Sequence, residues 1–359
     1  MMQNLIIEIQ KFVCNYLPFL NPLPIELWYI LFMFIFGAVV LGVVMGFAGV
    51  ASYVERKVAG HIQSRHGPNR VGPHGILQFV ADGIKLVLKE DLIPAEADKI
   101  LFRLAPYLVF IGCLGVFAAI PFSLYLGVTN LNIGLLYIMA ISSIVVVGII
   151  MAGWSSSNKW SLLGGMRSAA QIVSYEIPIG VSFLTIIIIT GTLNMFDITN
   201  QQDGGLFRWL VFRYPPFTML AFLIYFVASV AEVNRTPFDI PEAESELVGG
   251  YHTEYSGMRF AFFFMGEYGN MLAVSAIATI LFLGGFQSPL PFHILPGDWF
   301  ILEGLCWFFG KAFFLVFMQM WLRWTLPRYR VDQLMQLAWK VLTPFSFANM
   351  LAIGIWVII

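Results

Sequence analysis

The chain has 359 residues, 59% of them hydrophobic and 11% charged, with a net charge of −1 and a mean hydropathy of +0.80. Soluble domains carry roughly 45–50% apolar and about 25% charged residues, so this composition excludes an ordinary soluble domain and assigns most of the chain to lipid or to packed helices. The near-zero net charge gives no general attraction to nucleic acid.

Met1 to Pro24 lacks the basic start, compact apolar core and small-residue cleavage site of a secretory signal. Residues 1–25 read as a short amphipathic lead-in broken by Pro18, Pro22 and Pro24. Beyond it, about 20 predominantly apolar residues are needed to cross the hydrocarbon core. Eight segments meet that test: 26–50, 104–126, 132–153, 174–193, 216–233, 260–285, 302–324 and 341–359. No internal repeat or soluble module interrupts them. The sequence predicts one all-α integral membrane domain over 1–359, a polytopic bundle of about eight transmembrane helices plus an interfacial amphipathic helix.

The first span is followed by a loop over 51–100. It opens with Tyr53-Val54-Glu55-Arg56-Lys57 and continues through His61 to Gly75, including Gly67-Pro68-Asn69-Arg70-Val71-Gly72-Pro73. Its glycines and prolines forbid a continuous helix, and Arg65 and Arg70 fix two positive charges beside the bilayer. Positive-inside anchoring explains the sign of these charges but not so rigid a turn. Next, Ile76, Phe79, Val80, Ile84 and Val87 recur on one helical face, with Asp82, Lys85 and Lys89 on the other. That pattern suits a helix lying in the interface plane, as an anchor or as a lining wall.

The fourth predicted span carries Glu176 near its start, before Pro178, and the sixth carries Glu267 about two turns in. Lys311 lies well inside the seventh, whereas Glu303 falls at its edge and needs no special role. A charge at mid-membrane costs at least about 2.5–3.5 kcal/mol, so Glu176, Glu267 and Lys311 are candidate functional positions. A structural ion pair is the plain alternative for Glu267 or Lys311.

Between the fifth and sixth spans, residues 232–259 form an acidic loop with Glu232, Asp239, Glu242, Glu244, Glu246 and Glu254. If 241–247 is helical, Glu242 and Glu246 share a face. Crowded carboxylates near apolar surroundings raise one another's proton affinity, which suits groups that load and release protons. A solvated acidic loop is the competing explanation, but Phe238, Ile240 and Leu247 interleave the acids.

Lys and Arg crowd the odd-numbered loops, while Lys11, Arg208 and Arg213 are the only ones on the other side. The odd loops are therefore predicted to be cytoplasmic, with the chain in a bacterial inner membrane or the corresponding organelle membrane. Cys14, Cys113 and Cys306 are far apart and form no CxxC pair. The five histidines fall in predicted loops, and neither a dinucleotide fingerprint nor a Walker loop occurs. The chain has no metal site or redox centre of its own by this reading, so electron transfer must come from partners.

Several runs resemble one family in order and spacing, the quinone-chamber membrane subunit of respiratory complex I (NuoH, the equivalent of the mitochondrially encoded subunit 1). They are Glu55-Arg56-Lys57, the Gly67–Pro73 turn, Gln78 with Ala81-Asp82, Gly153-Trp154, Asn158-Lys159 and Ser174-Tyr175-Glu176. Ala231-Glu232 through Glu246, and Arg328-Tyr329-Arg330-Val331-Asp332-Gln333-Leu334-Met335 with Trp339-Lys340, complete the match. The lead-in and the last helix match by hydropathy alone.

The resemblance implies a subunit of a proton-pumping NADH:quinone reductase, with ubiquinone or menaquinone as substrate and no cofactor on this chain. Iron–sulfur clusters and flavin would sit on partner subunits. Those partners would be soluble quinone-site subunits with the terminal cluster, small membrane subunits and antiporter-like subunits, and the chain itself would also contact lipid. Glu55, Arg56, Arg65, Arg70 and Asp82 would lie along the quinone chamber, whose mouth opens between the first and sixth spans and helix 76–90. Glu232, Glu242, Glu244, Glu246 and Glu254 would form an acidic funnel, continued by Glu176 and Glu267 toward the pump subunits. Alternatives are the equivalent subunit of a membrane-bound hydrogenase or ferredoxin-driven complex, a stand-alone proton or cation transporter, and a structural anchor.

Overall fold

The computed structural model describes residues 25–124, 126–241, 244–291 and 299–358. The lead-in over 1–24 and Glu242 therefore lie outside the described residues. Eight apolar helices and one amphipathic helix organise the rest: α1 Ile25–Ile62, α2 Gln78–Leu88, α3 Lys99–Val116, α4 Gly134–Ser155 and α5 Lys159–Thr190, then α6 Phe217–Glu232, α7 Gly257–Phe282, α8 Phe300–Thr325 and α9 Val331–Ile358. Shorter helical turns, among them Met195–Asn200 and Leu210–Arg213, cap the end opposite the basic loops.

Each of the eight hydropathic segments contains a helix, but their limits follow chemistry that hydropathy does not register, and α3 stops at Val116, ten residues short of the expected end at 126. α1 has 38 residues, about 57 Å, so its last turns run well past a hydrocarbon core of about 30 Å. Glu55, Arg56 and His61 thus belong to a helix and not to the loop expected from 51 onward. α5 starts fifteen residues earlier than expected, because Asn158 caps it through Trp160 N at 2.9 Å and its first half is small or polar, yet packed. Glu176 accordingly sits in the middle of a 32-residue helix. α6 has only 16 residues, about 24 Å, and ends inside the protein at Glu232. In α9, a π-helical turn over Leu337–Leu342 precedes Pro344, where the Thr343 hydroxyl donates to Ala338 O at 2.8 Å.

Close packing places the helices. α3 and α4 meet along Gly112 and Gly148; a Cβ at either would lie 2.7 Å from a valine methyl of the other helix. α7 is central and buried along most of its apolar length, whereas α1 presents most of its apolar length outward. The core runs from Val116 and Ile120 through Tyr175, Phe183 and Tyr225 to Phe282 and Phe308, so α5, α6, α7 and α8 share one interior.

Candidate functional site

The end of α1 and the turn after α6 bring charge into this interior. Glu55 is 3% exposed and Arg235 is 2% exposed. Arg235 Nη1 donates to both Glu55 oxygens, at 2.9 and 2.8 Å, and its Nε lies 2.6 Å from Glu267 Oε1. The guanidinium stacks over Tyr268 at 4.3 Å, and the Tyr268 hydroxyl donates to Glu55 Oε2 at 2.6 Å. Arg323, from the far end of α8, also donates to Glu55. Two carboxylates and two guanidiniums thus balance within one buried lattice that joins α1, α7, α8 and the turn after α6. Burial opposes the charge on Arg235, but Glu267 and Glu55 outweigh it and hold this group firmly protonated.

Beside the lattice, α1, α2 and α7 enclose a cavity of about 340 Å³. Its walls are Met45, Phe79, Leu86, Val87, Phe264 and Met265, and its polar side carries Ser52, Arg56, Asp82 and Lys85. Arg56 Nη1 donates to Asp82 Oδ2 at 2.7 Å, and Gln78 Nε2 to Oδ1 at 3.3 Å. Desolvation opposes ionisation of Asp82, but the Arg56 hydrogen bond and charge, with Lys85 and Gln78, hold it below the ordinary carboxylate range. The expected apolar face of α2 is split: Phe79 and Val87 line the cavity, while Val80 and Ile84 are exposed on the outer side.

Arg56 also lines a second pocket of about 600 Å³, with Arg65, His66, Asn69, Arg70, Gln78 and Trp324. The Gly/Pro-rich loop around it is closed by Arg65 N on Gly60 O at 2.8 Å and by the Tyr53 hydroxyl on His74 O at 2.9 Å. Arg56, Arg65, Arg70 and Asp82 therefore sit around adjoining hollows, and Glu55 lies in the lattice behind them.

The remaining acids separate. Glu176 and Glu232 line one small cavity of about 30 Å³ with Ser142, Tyr225 and Asn270. Ser143 lies 3.4 Å from Glu176, and Glu232 has no hydrogen bond or ion pair among the described residues. Glu246 is exposed and pairs with Arg167 at 2.8 Å, and Glu254 accepts from Asn158 at 2.6 Å. Of the acidic loop expected between the fifth and sixth spans, these three acids stand apart from one another. Its helix covers only Glu244–Leu247, and Glu232, Glu246 and Glu254 face three different surroundings. Glu303 is buried and not peripheral, within 3.4 Å of Trp307 Nε1. Lys311 makes no ion pair among the described residues; it donates to three carbonyls near the opposite end of the bundle.

Three stretches of α7 face these places in sequence. Met258–Met265 meets the cavity beside α2, Glu267 and Tyr268 enter the lattice, and Asn270 to Ile277 borders the Glu176–Glu232 cavity. Sequence reasoning overlooked Arg235, Tyr268 and Arg323 as parts of this site. A signal existed for Arg235 alone, since a buried Glu55 demands a cation and Arg235 follows directly on an apolar span. His252 is held neutral: packed against Tyr251 and Phe260, its imidazole is pushed down to about 4 by burial.

Comparison with known proteins gives a consistent pattern. A family model described as NADH dehydrogenase matches residues 34–354. The H subunit of NADH-quinone oxidoreductase from Chlorobium luteolum is 52% identical over 315 residues, covering 85% of this chain and 84% of that one. Proteins of the same name from Anaeromyxobacter dehalogenans and Bacteroides thetaiotaomicron are each 48% identical. The alignments cover 90% and 84% of this chain, and 80% and 84% of those relatives, respectively.

Proposed function

The chain belongs to the NADH dehydrogenase family, among the H-type subunits of NADH-quinone oxidoreductase, and on that premise we propose that α1, α2 and α7 form the path by which quinone enters from the bilayer. The protein is a membrane subunit of that enzyme complex and works with its other subunits. It supplies no redox centre in this reading; partner subunits with iron–sulfur clusters and flavin deliver the electrons. The lopsided Lys/Arg distribution favours the basic loops on the cytoplasmic side, and the bacterial source of the relatives favours the cytoplasmic membrane of a bacterium.

One observation carries the proposal: the 340 Å³ cavity between α1, α2 and α7 is walled by Met and Phe side chains and ends at the Arg56–Asp82 pair. An isoprenoid tail needs the apolar wall, and a quinone headgroup accepts hydrogen bonds from the polar end. Arg56, Arg65 and Arg70 extend the cationic lining beyond it, on the side where soluble partners would dock. Reduction of quinone to quinol consumes protons as well as electrons, and α7 links this hollow to the buried lattice and then to Glu176 and Glu232. In this reading the lattice senses the charge state of bound quinone, and Glu176 and Glu232 pass protons onward toward antiporter-like subunits. Glu246 and Glu254 belong to the surface around that route.

Gly83 lines the cavity, and a Cβ there would meet nothing within 4 Å. Gly83→Phe should fill the entrance and slow reduction of a long-tailed quinone at least several-fold more than that of a short-tailed one, with Gly83→Ala as the helix control. Val80→Trp, on the outer face, should leave the ratio unchanged. Equal slowing of both quinones by Gly83→Phe would remove the entry role and leave α2 as an anchor.

A further inference from the structure

Lys311 is a charge inside a membrane helix that the quinone path does not use. It lies about 16 Å into α8 from Phe300, where the backbone leaves the end of α7. Its Nζ donates to Leu283 O at 2.8 Å, Gly285 O at 3.0 Å and Gln287 O at 2.7 Å. An ammonium has three donors, and all three are used here. The Trp209 ring closes a further side, with its centroid 4.1 Å from the charge.

This turn is built in advance of the lysine. Gly284 and Gly285 have φ of +74° and +52°, and a Cβ at Gly284 would fall 2.5 Å from Trp209 Nε1. Gln202, fully buried, accepts from Gly284 N and Leu210 N at 3.1 Å each and donates to Ile280 O at 2.8 Å. Gly285 N bonds Thr279 O at 2.7 Å, and Gln287 N bonds Gly284 O at 2.8 Å. With their amides committed elsewhere, alternate carbonyls of 283–287 converge on one point. Neutral oxygens at such spacing replace the hydration shell of a single positive charge, and the C-terminal end of α7 adds its dipole.

We propose that the 283–287 turn, with Trp209, is a binding site for a primary ammonium or similar monovalent cation, occupied in the native protein by the tethered ammonium of Lys311. Lys311 is then a positioning residue. It pins the end of α7 to α8, about 18 Å along α8 from Arg323, which joins the lattice that α7 enters through Glu267 and Tyr268. The two helices are tied by charge at two levels, and the upper tie holds the register of the lower. The site stands whether or not the quinone path is correct, because its first readout is stability.

In the purified complex, Lys311→Ala should lower the thermal unfolding midpoint and reduce quinone turnover several-fold. Millimolar ethylammonium should restore at least half of both losses, whereas tetramethylammonium, equal in charge but without N–H donors, should restore neither. An unchanged midpoint, no recovery with ethylammonium, or equal recovery with tetramethylammonium would each overturn the proposal. If Lys311→Ala does not assemble, acetylation of the wild-type complex followed by mass spectrometry decides. Lys311 should react at least tenfold more slowly than in Trp209→Leu, and equal rates would refute the cage.

Discussion

The Glu55–Arg235 lattice and the Glu176–Glu232 cavity lie against neighbouring stretches of the same helix, yet they treat buried charge in opposite ways. In the lattice, every carboxylate has a guanidinium or a phenol within hydrogen-bond reach, and the charges sum to zero. In the cavity, two carboxylates share a small hollow, one has a single long contact to Ser143 and the other has no partner among the described residues. A charge-paired network of this kind ties four elements together even though Arg235 Nη2 finds no hydrogen-bond partner among the described residues, whereas weakly held polar groups beside a void can exchange partners and admit water. A hollow of about 30 Å³ has room for one water of that kind. The difference separates a part of the site that holds geometry from a part that can move a proton.

Breaking the lattice should give the largest effect. Arg235→Met leaves Glu55 and Glu267 buried with one guanidinium lost, a defect that costs about 3–5 kcal/mol. The assembled complex should then dissociate at a markedly lower temperature. Adding Glu267→Gln to Arg235→Met should recover part of that loss, since it removes the carboxylate left behind. A single Arg235→Met variant with wild-type thermal behaviour would mean that the lattice is not what holds α1, α7 and α8 together.

Glu232→Gln sharpens the comparison from the other side. With no ion pair or hydrogen bond to lose among the described residues, this variant should cost much less stability than Arg235→Met. Assembled in sealed liposomes, it should still lose most of its quinone-linked turnover and pumping. A destabilisation like that of Arg235→Met would show that Glu232 is a held group after all. Wild-type turnover and proton yield would return the residue to a solvated-end role.

How much of this was legible in the sequence differs between the two regions. Glu176, Glu232 and Glu267 stood out because a charge in an apolar run is conspicuous in one dimension. The lattice could not be read that way: Glu55 meets Arg235 across 180 residues, Tyr268 across 213 and Arg323 across 268. Arg235 and Arg323 looked like ordinary basic loop residues until folding turned them inward. The eight spans were visible because their length and hydropathy are set by the bilayer. The early start of α5 was not, because its small and polar residues are buried by packing against α4 and the turn at Gly250 rather than by lipid; a Cβ at Gly164 would lie 2.8 Å from Gly250. In the acidic loop, nearness in sequence offered no clue to partners: Arg167 holds Glu246 and Asn158 holds Glu254, both from the N-terminal end of α5.

The Arg56–Asp82 pair lies between these extremes, and its titration should give the smallest effect. It is a direct ion pair like those of the lattice, but its side chains are 46% and 22% exposed, so solvent screens it. Asp82 has a proton affinity below that of a free aspartate because Arg56 outweighs the desolvation. A depressed folded pKa means that the pair's contribution is fully present above the ordinary aspartate value of about 3.9 and fades as the pH falls through the lower folded value. For so exposed a pair that contribution is about 0–1 kcal/mol. Protonation should therefore loosen α2 from α1 without unfolding either helix. Hydrogen exchange over 78–88 should accelerate modestly on acidification below that value, by no more than about fivefold, the equivalent of 1 kcal/mol. Asp82→Asn should exchange at the faster rate already at neutral pH and show no further acid step once intrinsic exchange is subtracted. If Asp82→Asn instead exchanges like the wild type at neutral pH, α2 is held by the apolar contacts of Phe79, Leu86 and Val87 alone, and the ion pair serves the cavity and not the helix.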